Sequence, residues 1–139
     1  MKKLLLILFS IALFTSCSED DDANGDDDIL GTWFIAEANG IPNFEVTECT
    51  RESSITFNSN NTTYSEYYVG SGEACTLADE TNSVWEREGQ IYTFSLPIEG
   101  LENFDLDNIN GNVSFNSDKS EFTFTPLIFP SASIVFEKR

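Results

Sequence analysis

The sequence predicts an all-β domain over residues 29 to 139, built as a small antiparallel up-and-down β-barrel of about eight strands. Short segments rich in aromatic and β-branched residues recur there, turn-forming residues separate them, and little of the sequence has a helical period. The whole chain contains twelve Phe, four Tyr and two Trp, which is enough apolar volume for one core. A barrel of about eight strands is either just filled by its side chains or just wide enough for one small ligand.

The first half of the domain predicts one long strand followed by a hairpin. Residues 30 to 38 form the strand, which ends at an Asn-Gly turn before Pro42. Residues 53 to 57 and 62 to 69 form the hairpin across a polar turn at residues 58 to 61.

Further strands are predicted in the second half, and residues 97 to 111 are irregular with room for a helical turn. Alternation of apolar and polar residues defines the face of each strand that points inward. The predicted strands are residues 83 to 87, 90 to 96, 112 to 115, 121 to 125 and 132 to 138. The predicted inward residues are Ile55, Phe57, Tyr92, Phe94, Leu96, Val113, Phe115, Phe122, Phe124, Ala132, Ile134 and Phe136.

Residues 1 to 16 have the features of a signal peptide. Two lysines follow the first methionine, and residues 4 to 14 are apolar over a length that suits a signal and is too short for a membrane anchor. The segment ends in Thr-Ser-Cys17, which resembles the lipobox of bacterial lipoproteins, although Phe14 stands where Leu, Val or Ile is usual. The resemblance implies a diacylglycerol on Cys17 and cleavage just before it. A secreted protein with an incidental cysteine is the alternative.

Residues 17 to 28 are polar and mostly acidic. Such a segment cannot bury enough apolar surface to offset its chain entropy, so we expect a disordered tether. Serine followed by acids directly after the cysteine resembles the surface-export signal of some Gram-negative lipoproteins. The resemblance implies a protein anchored by lipid in the outer membrane and facing outward. The residues that carry this signal are Ser18, Glu19, Asp20, Asp21 and Asp22.

The composition excludes several kinds of chemistry. The chain contains no histidine, which removes Ser-His and Cys-His catalysis and histidine-based zinc sites. Paired carboxylates remain, but nothing selects a pair among 24 acids, so we expect no catalytic residue, metal site, cofactor or enzymatic activity. Residues 29 to 139 contain 5 basic and 17 acidic residues, and this net charge of −12 would repel nucleic acid.

Two cysteines, Cys49 and Cys75, remain once Cys17 is lipidated. In an exported domain two cysteines most simply form a disulfide, and the predicted hairpin places both near the same end. A free reactive thiol is the alternative.

A short motif on the first strand points to a family. Gly31-x-Trp33, preceded by an apolar residue, is similar to the Gly-x-Trp opening of lipocalins. The elements that follow, namely a cysteine on each side of the first hairpin, a strand around Trp85 and a last strand ending in Phe-Glu-Lys-Arg, resemble bacterial lipocalin-like lipoproteins over residues 29 to 139. In lipocalins an arginine near the C-terminus covers this tryptophan at the barrel floor, so the resemblance assigns that role to Arg139. The Thr-Asp-Tyr element of typical lipocalins is absent.

Two functions follow from this lipocalin-like interpretation. The first is binding of a small apolar or amphipathic ligand in a cavity of at least about 300 Å³, and its alternative is that aromatic side chains simply fill the barrel. The second is an outer-surface interaction or structural protein whose loops meet another protein or a glycan. The sequence feature that best supports this second function is the apolar run at residues 126 to 130. The alternative is that this run plugs the end of the barrel. The candidate ligand-lining residues are Trp33, Phe57, Tyr68, Trp85, Phe94, Phe124 and Phe136.

Overall fold

The computed structural model describes residues 27 to 98 and 107 to 139, and their regular structure is almost entirely β. The all-β prediction is confirmed. Two short 3-10 turns, Thr50–Glu52 and Gly72–Ala74, interrupt the strands. The strands are β1 (Gly31–Asn39), β2 (Ser54–Phe57), β3 (Thr62–Val69), β4 (Thr76–Val84), β5 (Glu86–Glu88), β6 (Ile91–Phe94), β7 (Ile109–Phe115), β8 (Glu121–Pro126) and β9 (Ser133–Glu137).

The nine strands of the described residues form one antiparallel sheet with the order β4-β3-β2-β1-β9-β8-β7-β6-β5. Because β1 pairs with both β2 and the last strand β9, the sheet rolls into a nearly closed up-and-down barrel. Its two edge strands, β4 and β5, are consecutive in the chain and are joined by Trp85. We call the gap between β4 and the residues that follow β6 the seam.

Aromatic rings fill the middle of the barrel. Phe57 meets Phe94 edge-on with ring centroids 5.1 Å apart, and Phe94 lies 4.6 Å from Phe124. Phe122 stacks on Phe136 at 4.8 Å. Each such pair adds about 0.5 to 1.5 kcal/mol to the stabilisation that comes from burying its area. The apolar side chains with an exposed fraction of 2 % or less outside the disulfide are Ile29, Trp33, Ile35, Ile55, Phe57, Trp85, Phe94, Phe122, Phe124, Ile134 and Phe136.

The structure adds one strand to the predicted eight. β4 lacks alternating apolar residues because its side chains are polar on both faces, so the sequence pattern did not reveal it. A strand was predicted at residues 83 to 87 around Trp85, but Trp85 is the junction at which β4 ends and β5 begins. Its ring is fully buried, and its indole N–H donates a hydrogen bond to the Asn58 carbonyl at 2.9 Å.

The N-terminal predictions fall mostly outside the described residues. The signal peptide, Cys17 and the acidic residues 18 to 26 all lie there. The predicted tether ran to residue 28, but Asp27 and Asp28 are paired with side chains of the barrel, so they belong to the folded domain. Within residues 27 to 98 and 107 to 139, no helix has the length and hydropathy needed to cross a membrane.

Candidate functional site

One end of the barrel is closed by a floor built around Trp33. The indole N–H of Trp33 donates a hydrogen bond to the Ile29 carbonyl at 2.5 Å, and its ring packs edge-on against Phe122 at 4.8 Å. The Lys138 ammonium lies 4.4 Å from the centroid of the same ring. A cation over an aromatic face contributes about 0.5 to 2 kcal/mol, depending on its exposure. The floor is therefore sealed by apolar packing capped with one charge.

The cation over the floor tryptophan is Lys138, so the role assigned to Arg139 was wrong. Side chains alternate along β9, and Phe136 points inward. Because side chains alternate along the chain, Lys138 lies on the same inner side as Phe136, and Arg139 points to the outer face. There Arg139 stacks on Phe34 at 4.6 Å and donates a hydrogen bond to the Arg51 carbonyl at 2.9 Å.

A buried carboxylate fastens the N-terminal end of the domain to the floor. The Asp27 side chain is only 3 % exposed, and it accepts hydrogen bonds from Arg87 and from the Tyr92 hydroxyl, each at 2.8 Å. Burial, and then the hydrogen bond to Asp27, raise the pKa of Tyr92 above its ordinary value. The separate hydrogen bond that Arg87 donates to Asp27 raises the pKa of Arg87. The network holds one ion pair and one neutral hydroxyl at neutral pH.

The opposite end of the barrel opens into a small apolar pocket of about 30 Å³, which we call the mouth. It is framed by the end of β1, the start of β7, the end of β8 and the start of β9. Gly40 has a φ of +69°, and a Cβ there would collide with the Ser131 backbone, so glycine allows these two segments to lie in contact. The lining residues of the mouth are Gly40, Ile41, Pro42, Leu96, Ile98, Ile109, Pro126, Phe129, Ala132 and Ile134.

The apolar run at residues 126 to 130 is divided between the mouth and the surface. Pro126 and Phe129 line the mouth. Leu127 and Ile128 point outward, with 46 % and 60 % of their surfaces exposed. The run therefore contributes Phe129 to the pocket wall, as the plug interpretation expected, but Leu127, which that interpretation also placed inside, is part of an exposed apolar tip.

A second cavity, of about 110 Å³, lies at the seam and has a different character. Its polar wall comes from β3 and β4, where Ser65 pairs with Thr81 across the strands. Leu96 and Ile98 form part of its other wall, and both of them also line the mouth. The lining residues of the seam cavity are Ser65, Tyr67, Asp79, Thr81, Ser95, Leu96, Pro97, Ile98 and Asp107.

The family comparison agrees with this geometry. The sequence model of a family described as lipocalin-like domain matches residues 29–125, which is well over half of the chain. The chain belongs to the lipocalin-like domain family. No curated protein and no solved structure is significantly similar to it.

In the lipocalin-like domain, the predicted ligand-lining residues lie away from both the mouth and the seam cavity. Trp33, Phe57, Trp85, Phe94, Phe124 and Phe136, all of them described, pack in the floor and the middle of the barrel, and neither the mouth nor the seam cavity is lined by any of them. Both cavities are also smaller than the predicted 300 Å³.

The remaining candidate, Tyr68, lines neither the mouth nor the seam cavity. The buried tyrosine of β3 is Tyr67, because the inward residues of this strand are Thr63, Ser65 and Tyr67. Tyr68 is half-buried next to a bulge, and its backbone N–H donates a hydrogen bond to the Ser53 hydroxyl. Tyr67, which also lines the seam cavity, takes the place that the sequence interpretation gave to its neighbour.

The predicted disulfide is present in the lipocalin-like domain. Cys49 and Cys75 are bonded, with Cα atoms 5.4 Å apart, inside the range that a disulfide spans without backbone movement. The bond joins the residue before the first 3-10 turn to the residue before β4. It therefore holds the start of the edge strand β4 to the body of the barrel.

Proposed function

We propose that this lipocalin-like protein binds a small apolar or amphipathic ligand at the mouth of its barrel. The observation that carries the proposal is the apolar lining of the mouth at the one end that the floor does not seal. Ile98, Ile109 and Ile134 provide aliphatic contacts there. Burial of each methylene of a ligand contributes about 0.8 kcal/mol, so the end of an alkyl chain is a suitable occupant of this small pocket.

The packing below the mouth limits how the ligand is held. Phe94 and Phe124 are fully buried and in contact, so the aromatic middle of the barrel leaves no path from the mouth to the floor between them. We expect a ligand to insert only its apolar end and to leave its other end at the rim or in the seam. This mode differs from a deep container lined by the barrel aromatics.

A neutral apolar fluorophore, N-phenyl-1-naphthylamine, tests the proposal. We expect a saturable rise in its emission and displacement by octan-1-ol. Ala132→Leu fills the mouth and should weaken binding by about tenfold or more, since it removes space for about two methylenes. The matched control Ala74→Leu adds the same side chain at an exposed site away from the mouth.

Two results would contradict mouth binding. One is the absence of any saturable signal with the parent protein. The other is equal affinity of the parent and Ala132→Leu, provided that thermal unfolding shows the variant to be folded. If Ala132→Leu does not fold, Phe129→Asn supplies the same test, because it replaces a half-buried apolar wall residue with a polar one.

We further propose that the protein is a lipoprotein of a Gram-negative outer membrane, anchored through Cys17 and facing outward. The lipobox-like sequence, and Ser18 followed by the acids at residues 19 to 22, support this location. Two acyl chains are sufficient for stable anchoring. The described chain starts at the floor, where Asp27 is buried, so a tether attached there would leave the mouth unobstructed.

Labelling and protease accessibility test the anchor separately from the ligand. Cys17→Ala should abolish incorporation of a palmitate analogue, and equal labelling of mutant and parent would refute lipidation. Alanine replacement of residues 19 to 22 should preserve labelling but lower digestion by external protease. Unchanged digestion would refute the export role.

A second candidate function is contact with a surface protein or a glycan through the loop at the mouth. The exposure of Leu127 and Ile128 favours it, because two neighbouring aliphatic side chains lie in solvent there. Replacing both with Ser should abolish such contact in intact cells and leave fluorophore binding unchanged. Neither catalysis nor nucleic-acid binding is part of the proposal, given the lack of histidine and the net charge of −12 from 5 basic and 17 acidic residues.

A further inference from the structure

We propose that the seam cavity binds the head group of an amphipathic amine, a protonated ammonium whose hydrocarbon part lies in the mouth. The inference rests on the proposed mouth binding, and it adds the chemistry of the ligand's polar end. The seam cavity has about 110 Å³ of space, which is enough for several water-sized groups but not for a whole ligand.

The inner face of the seam is a ladder of polar side chains. On β3 and β4, the cross-strand pairs are Thr63 with Ser83, Ser65 with Thr81, and Tyr67 with Asp79. Directly opposed residues of an antiparallel pair share one face of the sheet, and on this face the β3 residues are buried, Thr81 and Ser83 of β4 are half-buried, and Asp79, on the edge strand β4, is exposed. This row of polar side chains contrasts with the aromatic core beside it.

The groups on this ladder suit a donor-rich ligand. An alkylammonium carries three N–H donors and no acceptor, so it requires carboxylate or hydroxyl oxygens. The Asp79 carboxylate accepts a hydrogen bond from the Thr81 hydroxyl at 3.0 Å and retains further lone pairs. Ser65 and Ser95, which are 5 % and 6 % exposed, place hydroxyls at the same cavity, and the Ser95 hydroxyl already shares a hydrogen bond with the Ser83 hydroxyl at 2.9 Å.

One buried hydroxyl of the ladder is unsatisfied. Thr63 is 1 % exposed, and its Oγ1 atom has no hydrogen-bond partner among the described residues. It lies two residues before Ser65 on the same face of β3. A buried polar atom without a partner costs about 1 to 3 kcal/mol, but Thr63 does not itself line the seam cavity.

The charges around the cavity favour a cation over an anion. Asp79 and Asp107 line it, and none of the domain's five basic residues, all of them described, lines either the seam cavity or the mouth. Four basic residues are engaged elsewhere. These are Arg87 with Asp27, Lys119 with Asp28, Lys138 over Trp33, and Arg139 with Glu52 and Glu137. A carboxylate ligand would therefore meet repulsion without a compensating cation.

The two cavities are placed to hold two ends of one molecule. Leu96 and Ile98 line both of them, so a hydrocarbon chain that leaves the mouth along these side chains reaches the polar wall of the seam. An ammonium group at the end of such a chain would be close to Asp79. Because the two cavities share these wall residues, one molecule could place its hydrocarbon chain in the mouth and its ammonium group in the seam cavity.

Three ligands with the same chain and different head groups test the inference by titration calorimetry. Octylamine, octan-1-ol and octanoate are compared on the full chain at pH 7 and constant ionic strength. We expect octylamine to bind about tenfold more tightly than octan-1-ol, the effect of one charge-assisted hydrogen bond. Octanoate should bind more weakly than octan-1-ol. Asp79→Asn should lower octylamine affinity about tenfold while leaving octan-1-ol affinity within about twofold.

The control distinguishes the seam from the general acidity of the domain. Glu88→Gln makes the same change of charge at an exposed position on β5, outside both cavities, and should change octylamine affinity less than about twofold, because a charge that does not line the cavity acts on the ligand only through screened solvent. Equal affinities of octylamine and octan-1-ol, or equal effects of Asp79→Asn and Glu88→Gln, would overturn the inference while mouth binding stands. Failure of all three ligands to bind would instead overturn the proposed function.

Discussion

Asp27→Ala is expected to destabilise the native protein by about 3 kcal/mol, because it leaves buried donors without an acceptor. The Asp27 side chain is 3 % exposed and accepts hydrogen bonds from Tyr92, Arg87 and the Ile29 backbone N–H. The bond from Tyr92 to the charged carboxylate accounts for about 1.5 to 2 kcal/mol, and the unsatisfied Ile29 N–H for about 1. Arg87 adds less than about 1 kcal/mol, since its side chain is 45 % exposed and regains water.

Urea denaturation at pH 7 measures this free energy of unfolding. Asp28→Ala is the matched control, because Asp28 is 40 % exposed and its partner Lys119 is 55 % exposed, so its loss should cost less than about 1 kcal/mol. A double-mutant cycle with Tyr92→Phe should return a coupling free energy of about 1.5 kcal/mol. Equal effects of the two aspartate substitutions would refute the view that Asp27 is part of the folded domain.

Three further predictions concern the stability of the barrel. Reduction of the disulfide should lower the free energy of unfolding by about 3.5 kcal/mol for its 27-residue loop, and denaturation with and without reductant measures this; an unchanged midpoint would contradict it. Lys138→Met should cost about 1 kcal/mol and shift the emission of Trp33, whereas Arg139→Met should leave the emission unchanged; the reverse pattern would restore the arginine to the floor. Because the native pKa of Tyr92 is raised, stability should fall as pH rises above about 10, where tyrosine ionises only in the unfolded chain. Tyr92→Phe should reduce this alkaline slope in unfolding measurements between about pH 9 and pH 11, and an identical slope would contradict the raised pKa.

The sequence predicted well those parts of the fold whose side chains alternate between apolar and polar. The hairpin strand at residues 62 to 69 has the predicted bounds, and Phe57, Ile134 and Phe136 point inward as expected. The disulfide could be predicted because residues 29 to 139 contain only two cysteines. These features depend on local pattern and count, which a single sequence contains.

The seam could not be predicted from the same signals. The strand that bears it, β4, is polar and mostly exposed, and a strand without apolar alternation resembles a loop. β7 starts at Ile109, inside a stretch that was predicted to be irregular. The sequence did not reveal its start because Ile109 is followed by Asn, Gly and Asn, which are uncommon in strands. The polar inner wall therefore became visible only when the strand register paired Ser65 with Thr81 and Tyr67 with Asp79.

The position of the predicted ligand-lining aromatics illustrates the same limit. Trp33 and Phe94 were correctly placed inside the barrel. The sequence does not show how far along the barrel axis an inward residue lies, or whether its neighbours leave a cavity beside it. In the structure these rings contact other rings, and the open end is lined by aliphatic residues such as Ile98 and Ile109. The distinction depends on long-range packing, which periodicity does not encode.

Methyl NMR of the isoleucine-labelled protein during titration with octan-1-ol tests the central claim most directly, because isoleucines report separately on the two ends of the barrel. Mouth binding predicts saturable shifts of the Ile98, Ile109 and Ile134 methyl signals, which line the pocket, and little change for Ile29 and Ile55 in the floor and core. Shifts concentrated at Ile29 and Ile55, or no saturable shift at Ile98, Ile109 and Ile134, would contradict the account.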